Sequence, residues 1–330
     1  MSCSDNEKVT NIKVMPKENI CSLDENISYL SNINSFSFID RSHFVVSTSN
    51  PSSVIVYNTD GQQIRKIDYV GKGAFEFINP AIVKSYENNI YVWCSTTLRL
   101  LIFDMFGNPI KEFSNFKRAI SNFCVYKNYI CFYMSGGYKE KLIEVYDLTE
   151  NRYLKSFVTP TDEHIILSMM SCSGGITMSG SNVIFMNASQ LVVNSVDLYS
   201  FSQYSKEIKD KEFSTQTLGK DAIELINSNR KKAFNYIYDN SLVTGIFSVS
   251  DDIILKTEIG KYDLNRNNMD VSERYDKFYV LDKKLNLKYT LKTKLSNNRC
   301  LYSSNENNLY SIKLINSGED FHYVLSKLNY

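Results

Sequence analysis

One pattern recurs along this chain and limits what it can fold into. An apolar run ends in an aromatic or aliphatic residue followed, in most copies, by Asp or Asn. A turn comes next, then a more polar strand. The pattern occurs at Val54–Ile67 (VIVYNTDGQQIRKI), Leu101–Phe113 (LIFDMFGNPIKEF), Ile143–Phe157, Asn194–Ile208, Tyr279–Leu291 and, truncated, at Tyr323–Tyr330. Aligned on Tyr57, Phe103, Tyr146, Val196, Leu281 and Leu325, four of the five spacings lie between 43 and 50 residues, and the fifth is 85. A four-stranded unit repeating at this period is the signature of a β-propeller blade. The chain is therefore expected to be all-β, a six-bladed β-propeller in one domain over residues 31–330.

The fullest unit lies between Tyr69 and Glu112. Ala81–Ser85 and Ile90–Cys94 are short apolar runs separated by the polar cluster Glu87-Asn88-Asn89. Leu98–Asp104 is almost wholly apolar, as a strand covered on both faces should be. Met105-Phe106-Gly107-Asn108 makes a tight hairpin, where Gly107 or Asn108 takes positive φ cheaply. Pro109–Phe113 is more polar and reads as an outer edge. The last copy has three strands only, so an N-terminal strand, about residues 9–15 (VTNIKVM), is expected to complete the final blade. Residues 1–30 then form a polar tether plus that strand.

Two segments fall outside the unit. Residues 213–232 include LGKDAIELINSNRKK, with Ala222, Leu225 and Ile226 on one helical face and Arg230, Lys231 and Lys232 late, which predicts a short helix between blades four and five. Residues 260–277 read as a long loop within blade five. There Asp263, Asn265, Asn267 and Asp270 alternate like the oxygen ligands of a calcium loop. The pattern breaks at Asn268, where the turn glycine should stand, and Glu273 falls one place short of the final ligand, so a solvated loop is the default. Blade four is expected to start near Ile165, and Gly174, Gly175 and Gly180 after it would let a ligand approach the backbone.

GKGAFEFINPAIV (Gly71–Val83) resembles the G-x-G-x-x-E-F-x-x-P segment that precedes a blade in NHL-type repeats. IYVWCSTTLRLLIFDMFGNPIKEF resembles the rest of such a repeat. As a whole the chain looks like the six-bladed, TolB-like propeller lipoproteins of Bacteroidetes-type Gram-negative bacteria. The resemblance implies an outer-membrane or periplasmic location. The start, MSCSDNEKVTN, fits a mature lipoprotein: Ser2, then Cys3 as the lipidated residue, then a polar tether.

A formal net charge of +1 gives no electrostatic case for nucleic acid. No run of 18 apolar residues spans a membrane as a helix, which leaves a lipid anchor as the expected membrane contact. The seven cysteines contain no Cys-x-x-Cys, and Cys124 and Cys131 flank a turn where they face each other. His43, His164 and His322 fall in different blades and meet, if anywhere, at the axis. No G-x-S-x-G, His-x-Glu or assignable carboxylate pair appears, so no catalytic residue is designated. The expected function is non-enzymatic: a monomeric cell-envelope binding or scaffolding propeller for a protein, peptide or glycan, without a cofactor apart from calcium at the loop above. The alternative is a hydrolase or lyase with an axial site and a divalent cation.

Overall fold

The computed structural model describes residues 13–24, 30, 32–114, 116–134, 140–168, 174–218, 229–260, 274–294, 300–317 and 320–330. Their strands form six sheets, one per blade, antiparallel except for a two-residue strand added in parallel at the edge of blade five. Blade one spans 33–67, blade two 80–113, blade three 120–157, blade four 175–207, blade five 242–294 and blade six 300–328. The innermost strands are Ile33–Phe38, Pro80–Tyr86, Ile120–Tyr126, Gly175–Ser179, Leu242–Val249 and Cys300–Ser304. Each contacts the next, and the last returns to the first, which closes a six-bladed ring.

The continuous apolar runs have a packing reason. Phe44, Val46, Ile55 and Tyr57 of blade one share a core with Tyr310, Ile312 and Leu325 of blade six. Val45, Val54 and Val56, on the opposite pleat of the same strands, share another with Val83, Val92 and Phe103 of blade two. One such cluster fills every boundary round the ring. Both faces of the middle strands are thus withdrawn from water. Each large side chain buried this way stabilises the ring by about 1.5–3 kcal/mol. Trp93 and Phe132, from the two sides of the boundary between blades two and three, both pack on Phe116, at ring-centroid distances of 5.3 and 5.2 Å.

The recurring Asp or Asn holds the outer hairpin of its blade. Asp104 accepts hydrogen bonds from the backbone N–H groups of Phe106 (2.9 Å) and Asn108 (2.8 Å), and from the Asn108 side-chain amide (2.7 Å). Asp282 repeats the arrangement with Lys284 and Asn286. Asn58, Asp147 and Asp197 cap their own turns in the same way. In the sixth copy the position is Ser326, and its hydroxyl donates to the Asn19 side chain instead, because no hairpin follows.

The ring is closed by an N-terminal strand, but not the one anticipated. The closing strand is Lys17–Ser22, antiparallel to Asp320–Leu328. Of residues 9–15, the first four lie outside the described residues, and Lys13–Val14 pair in parallel with Leu291–Lys292 of blade five. The polar strand takes the edge, whereas Met15 goes into the core between blades five and six. Gly61 secures the junction: its φ is +86°, its carbonyl accepts from Asp24 N–H at 2.8 Å, and a Cβ there would collide with the Ser22 carbonyl.

Among the described residues two helices accompany the blades and pack against each other. Asp162–Ser168 lies between blades three and four, so the Ile165 run is helical and blade four begins at Gly175 instead. Three apolar residues in succession suit a buried helix as well as a strand, and here His164, Ile165, Ile166 and Leu167 are all buried. The second helix, Arg230–Asp239, is capped by Asn229, which accepts from Lys232 N–H at 3.2 Å. It begins where the anticipated helix was to end, so Arg230, Lys231 and Lys232 form its first turn. Residues 219–228 lie outside the described residues. The two helices share an apolar cluster with Ala188 and Leu242. In blade five the strand Tyr275–Asp282 reclaims part of the segment anticipated as loop.

Candidate ligand site in the axial channel

The six inner strands enclose a cavity of about 1600 Å³ that runs along the ring axis. It reaches the first turn of every blade, at Asp40–Ser42, Glu87–Asn88, Tyr126, Gly180, Ser250 and Asn305–Glu306. Its wall is mostly polar or aromatic. Ser37 and Ser85 hydrogen bond across the boundary of blades one and two at 3.1 Å. Ser121, Thr177, Ser248 and Ser303 also line it.

Blade five supplies a dense charge cluster. The Lys256 ammonium donates to Asp276 at 2.7 Å and to the Thr244 hydroxyl at 3.0 Å, and Glu258 stands 3.9 Å away. Glu258 is also paired with Arg274 at 3.4 Å, and Arg274 donates to the Ile237 carbonyl at 3.3 Å, tying the sheet to the second helix. Burial opposes the charged form of Lys256, but Asp276 and then Glu258 more than offset it, so its pKa stands above the ordinary lysine value. Burial pushes the Asp276 carboxyl up, against the pull of Lys256. The 2.7 Å contact joins the two as a salt bridge. Tyr302 of blade six lies over Lys256, its ring centroid 5.2 Å from the ammonium, and its own pKa is pushed far up, first by burial and then by Cys300 and Asp276. Two cations and two carboxylates neutralise one another here.

Lys84 differs. It comes from the inner strand of blade two, between Val83 and Ser85, whose backbone N–H groups donate to Ser35 and Ser37. Protein surrounds it deep in the ring, while the channel leaves part of its surface open. Among the described residues its ammonium has no hydrogen-bond or ion-pair partner. Desolvation lowers its pKa, and the Cys124 thiol on blade three acts weakly the other way.

The positions singled out in the sequence are placed as follows. Cys3 and the loop residues Asp263, Asn265, Asn267 and Asp270 lie outside the described residues. The histidines do not meet at the axis. His43 faces Asp40 at 3.0 Å at the first turn of blade one, and His322 lies on the third strand of blade six. His164 is fully buried in the first helix, where its Nδ1 accepts from Ala188 N–H at 3.0 Å and burial lowers its pKa to about 4. Gly174 and Gly175 do line the cavity, but a side chain there would meet Tyr133, Met186 or Ile246, so they serve close packing between blades. Cys124 and Cys131 are directly paired across their hairpin as free thiols. In the G-x-G-x-x-E-F segment Glu76 accepts from Gly73 N–H at 2.7 Å, and Arg99 donates to the Gly73 and Glu76 carbonyls, so the motif builds a loop rather than a site. Lys84, Lys256, Glu258 and Asp276 were missed. Their signal was a charge set inside an otherwise strand-like run, in AIVKSY, DIILKTEI and RYDKFYVLD.

No curated protein matches the chain. Among solved structures it is similar to a member of the duf4221 family from Bacteroides vulgatus, with 12% identity and a TM-score of 0.64 over 97% of this chain and 98% of that one. It is similar as well to a protein from Bacteroides fragilis inferred to be exported, with 12% identity and a TM-score of 0.63 over 98% and 97% of the two chains. These likenesses show the fold. A family model described as a 6-bladed beta-propeller, DUF5128, matches residues 22–206, more than half of the chain, and the protein belongs to that family.

Proposed function

We propose that this protein is a non-enzymatic binding propeller of the cell envelope, acting as a monomer, which holds a glycan, peptide or protein segment in its axial channel. One observation carries the reading: the inner strands of all six blades line a cavity of about 1600 Å³ whose wall is polar and aromatic. Asp276 and Glu258 are each held by a cation, and the three histidines lie outside the cavity. The envelope location is supported by the likeness to the Bacteroides fragilis protein inferred to be exported. Lipid attachment at Cys3 belongs to the same reading, and palmitate labelling of the wild type but not of Cys3→Ala in the native host tests it.

The channel itself is tested with a glycan array and a peptide-display library, comparing wild type with Thr177→Trp, which fills part of the cavity. Ligands captured by the wild type and lost by the variant support the reading. Ligands that bind both proteins equally place recognition on another surface and overturn it.

A further inference from the structure

We infer that the ligand of the axial channel is a sugar bearing one carboxylate, and that Lys84 is the group that receives the charge. This rests on the channel-binding reading above and names the ligand chemistry of that site.

Charge bookkeeping along the wall leads there. Among the described residues three cations line the cavity, Arg41, Lys84 and Lys256, together with the carboxylates of Asp40, Glu87, Glu258, Asp276 and Glu306. Arg41 is paired with Glu306 at 3.2 Å at the mouth, and Lys256 is paired with Asp276 at 2.7 Å. Lys84 alone among them has no partner in the described residues. A desolvated cation without a counter-charge is unfavourable in the folded protein unless something supplies one. It sits on a cavity wall, so the missing anion can arrive from solvent. Glu87, at the first turn of the same blade, lacks a cation too among the described residues, but it engages Tyr86 and forms no ion pair with Lys84, so the place beside Lys84 is open to one carboxylate. A phosphate dianion would bring a second negative charge to a wall that already holds Glu87 without a cation.

The rest of the wall fits a hydroxyl-rich ring. Thr177, Ser121 and Ser303 line the cavity, and no side-chain hydrogen bond engages their hydroxyls within the described residues. Tyr86 and Tyr126 meet edge to face at 6.1 Å on the side of the cavity next to Lys84, offering apolar ring surfaces beside polar groups. Hydroxyl donors, flat rings and one cation together match a uronic acid better than a peptide end, whose amide backbone would call for a row of paired donors and acceptors.

Isothermal titration of the full chain with trigalacturonate, its methyl ester and a hexapeptide with a free carboxylate tests the inference. Trigalacturonate is expected to bind, with a loss of about ten- to a hundredfold on methyl esterification or in Lys84→Met, the range of a charge-assisted hydrogen bond. Lys84→Arg should retain most of the affinity, and Arg41→Met should match wild type. Because Lys84→Met could fold poorly, a second measurement uses wild type alone: trinitrobenzenesulfonate labelling of Lys84, read by peptide mapping, should be suppressed by trigalacturonate and not by its ester. Equal binding of acid and ester, unchanged affinity in Lys84→Met, preference for the peptide, or no binding by wild type would each overturn the carboxylate-sugar inference. The library comparison with Thr177→Trp judges the channel reading separately, since it does not depend on charge.

Discussion

Blades two and five face each other across the axis and treat charge in opposite ways. Blade five buries Lys256, Arg274 and Asp276 and links them with the half-buried Glu258 in a set with salt links of 2.7 to 3.9 Å. Blade two presents Lys84 to the same cavity with no partner among the described residues. Their strands differ too: those of blade five run to eight residues, against five to seven in blade two. The longer sheet has room for an internal polar network that ties it to the second helix. The shorter sheet leaves its lysine to the channel. A neutralised cluster serves the ring, whereas an unneutralised cation is available to a ligand.

The largest effect that would sharpen this contrast is expected at Asp276. Asp276→Ala should strand the Lys256 ammonium in the interior and destabilise the fold by about 3–5 kcal/mol in denaturant unfolding. If the blade-five cluster is a structural unit, the double variant Lys256→Met with Asp276→Leu should recover most of that loss, ending within about 2 kcal/mol of wild type. A double variant as unstable as the single would show that the charges do more than cancel.

On the opposite wall the sign reverses. Lys84→Met should be neutral or stabilising, by about 1 kcal/mol at most, because it removes a desolvated charge that nothing offsets. The folded pKa of Lys84 lies below 10.5, so the unfolded chain holds more protons between the two values. Its unfavourable contribution is therefore full below the lowered folded pKa and fades as pH rises toward 10.5. Wild-type stability should gain on Lys84→Met across that window, and parallel curves from a pH series of melting temperatures would contradict it.

The smallest effect lies on the rim of blade five. Glu212, linked to Lys277 and to Lys292 (2.6 Å), has its pKa lowered to about 2, with burial opposing the two lysines. Its contribution is present above the ordinary value of 4.5 and is lost as pH falls toward about 2. The side chain is 42% exposed, so solvent screens it and Glu212→Gln should cost well under about 1 kcal/mol at neutral pH. The variant should show a flatter acid limb, and an acid limb identical to wild type would remove Glu212 from the comparison.

What was legible in the sequence was local and repeated. Strands covered on both faces read as unbroken apolar runs, and the Asp or Asn at the outer hairpins of blades one to five recurs because Asx capping fits the same turn in blade after blade. The count of blades and the need for N-terminal closure followed from these. The identity of the closing strand did not follow. Lys17–Ser22 is almost wholly exposed, so it carries no hydrophobic alternation, and backbone pairing with Asp320–Leu328 selects it with little help from side chains beyond Asn19 and Cys21. The Ile165 run was ambiguous for the reason that makes short apolar runs ambiguous in general: burial on all sides erases the period that separates helix from strand. The charge balance of the channel was decided by tertiary structure alone. Lys84, Lys256 and Asp276 are 172 and 20 residues apart in succession, and nothing in their neighbourhoods says which will pair. Ion pairing depends on distances of a few ångströms set by how the sheets pack, and that geometry exists only once the ring is closed.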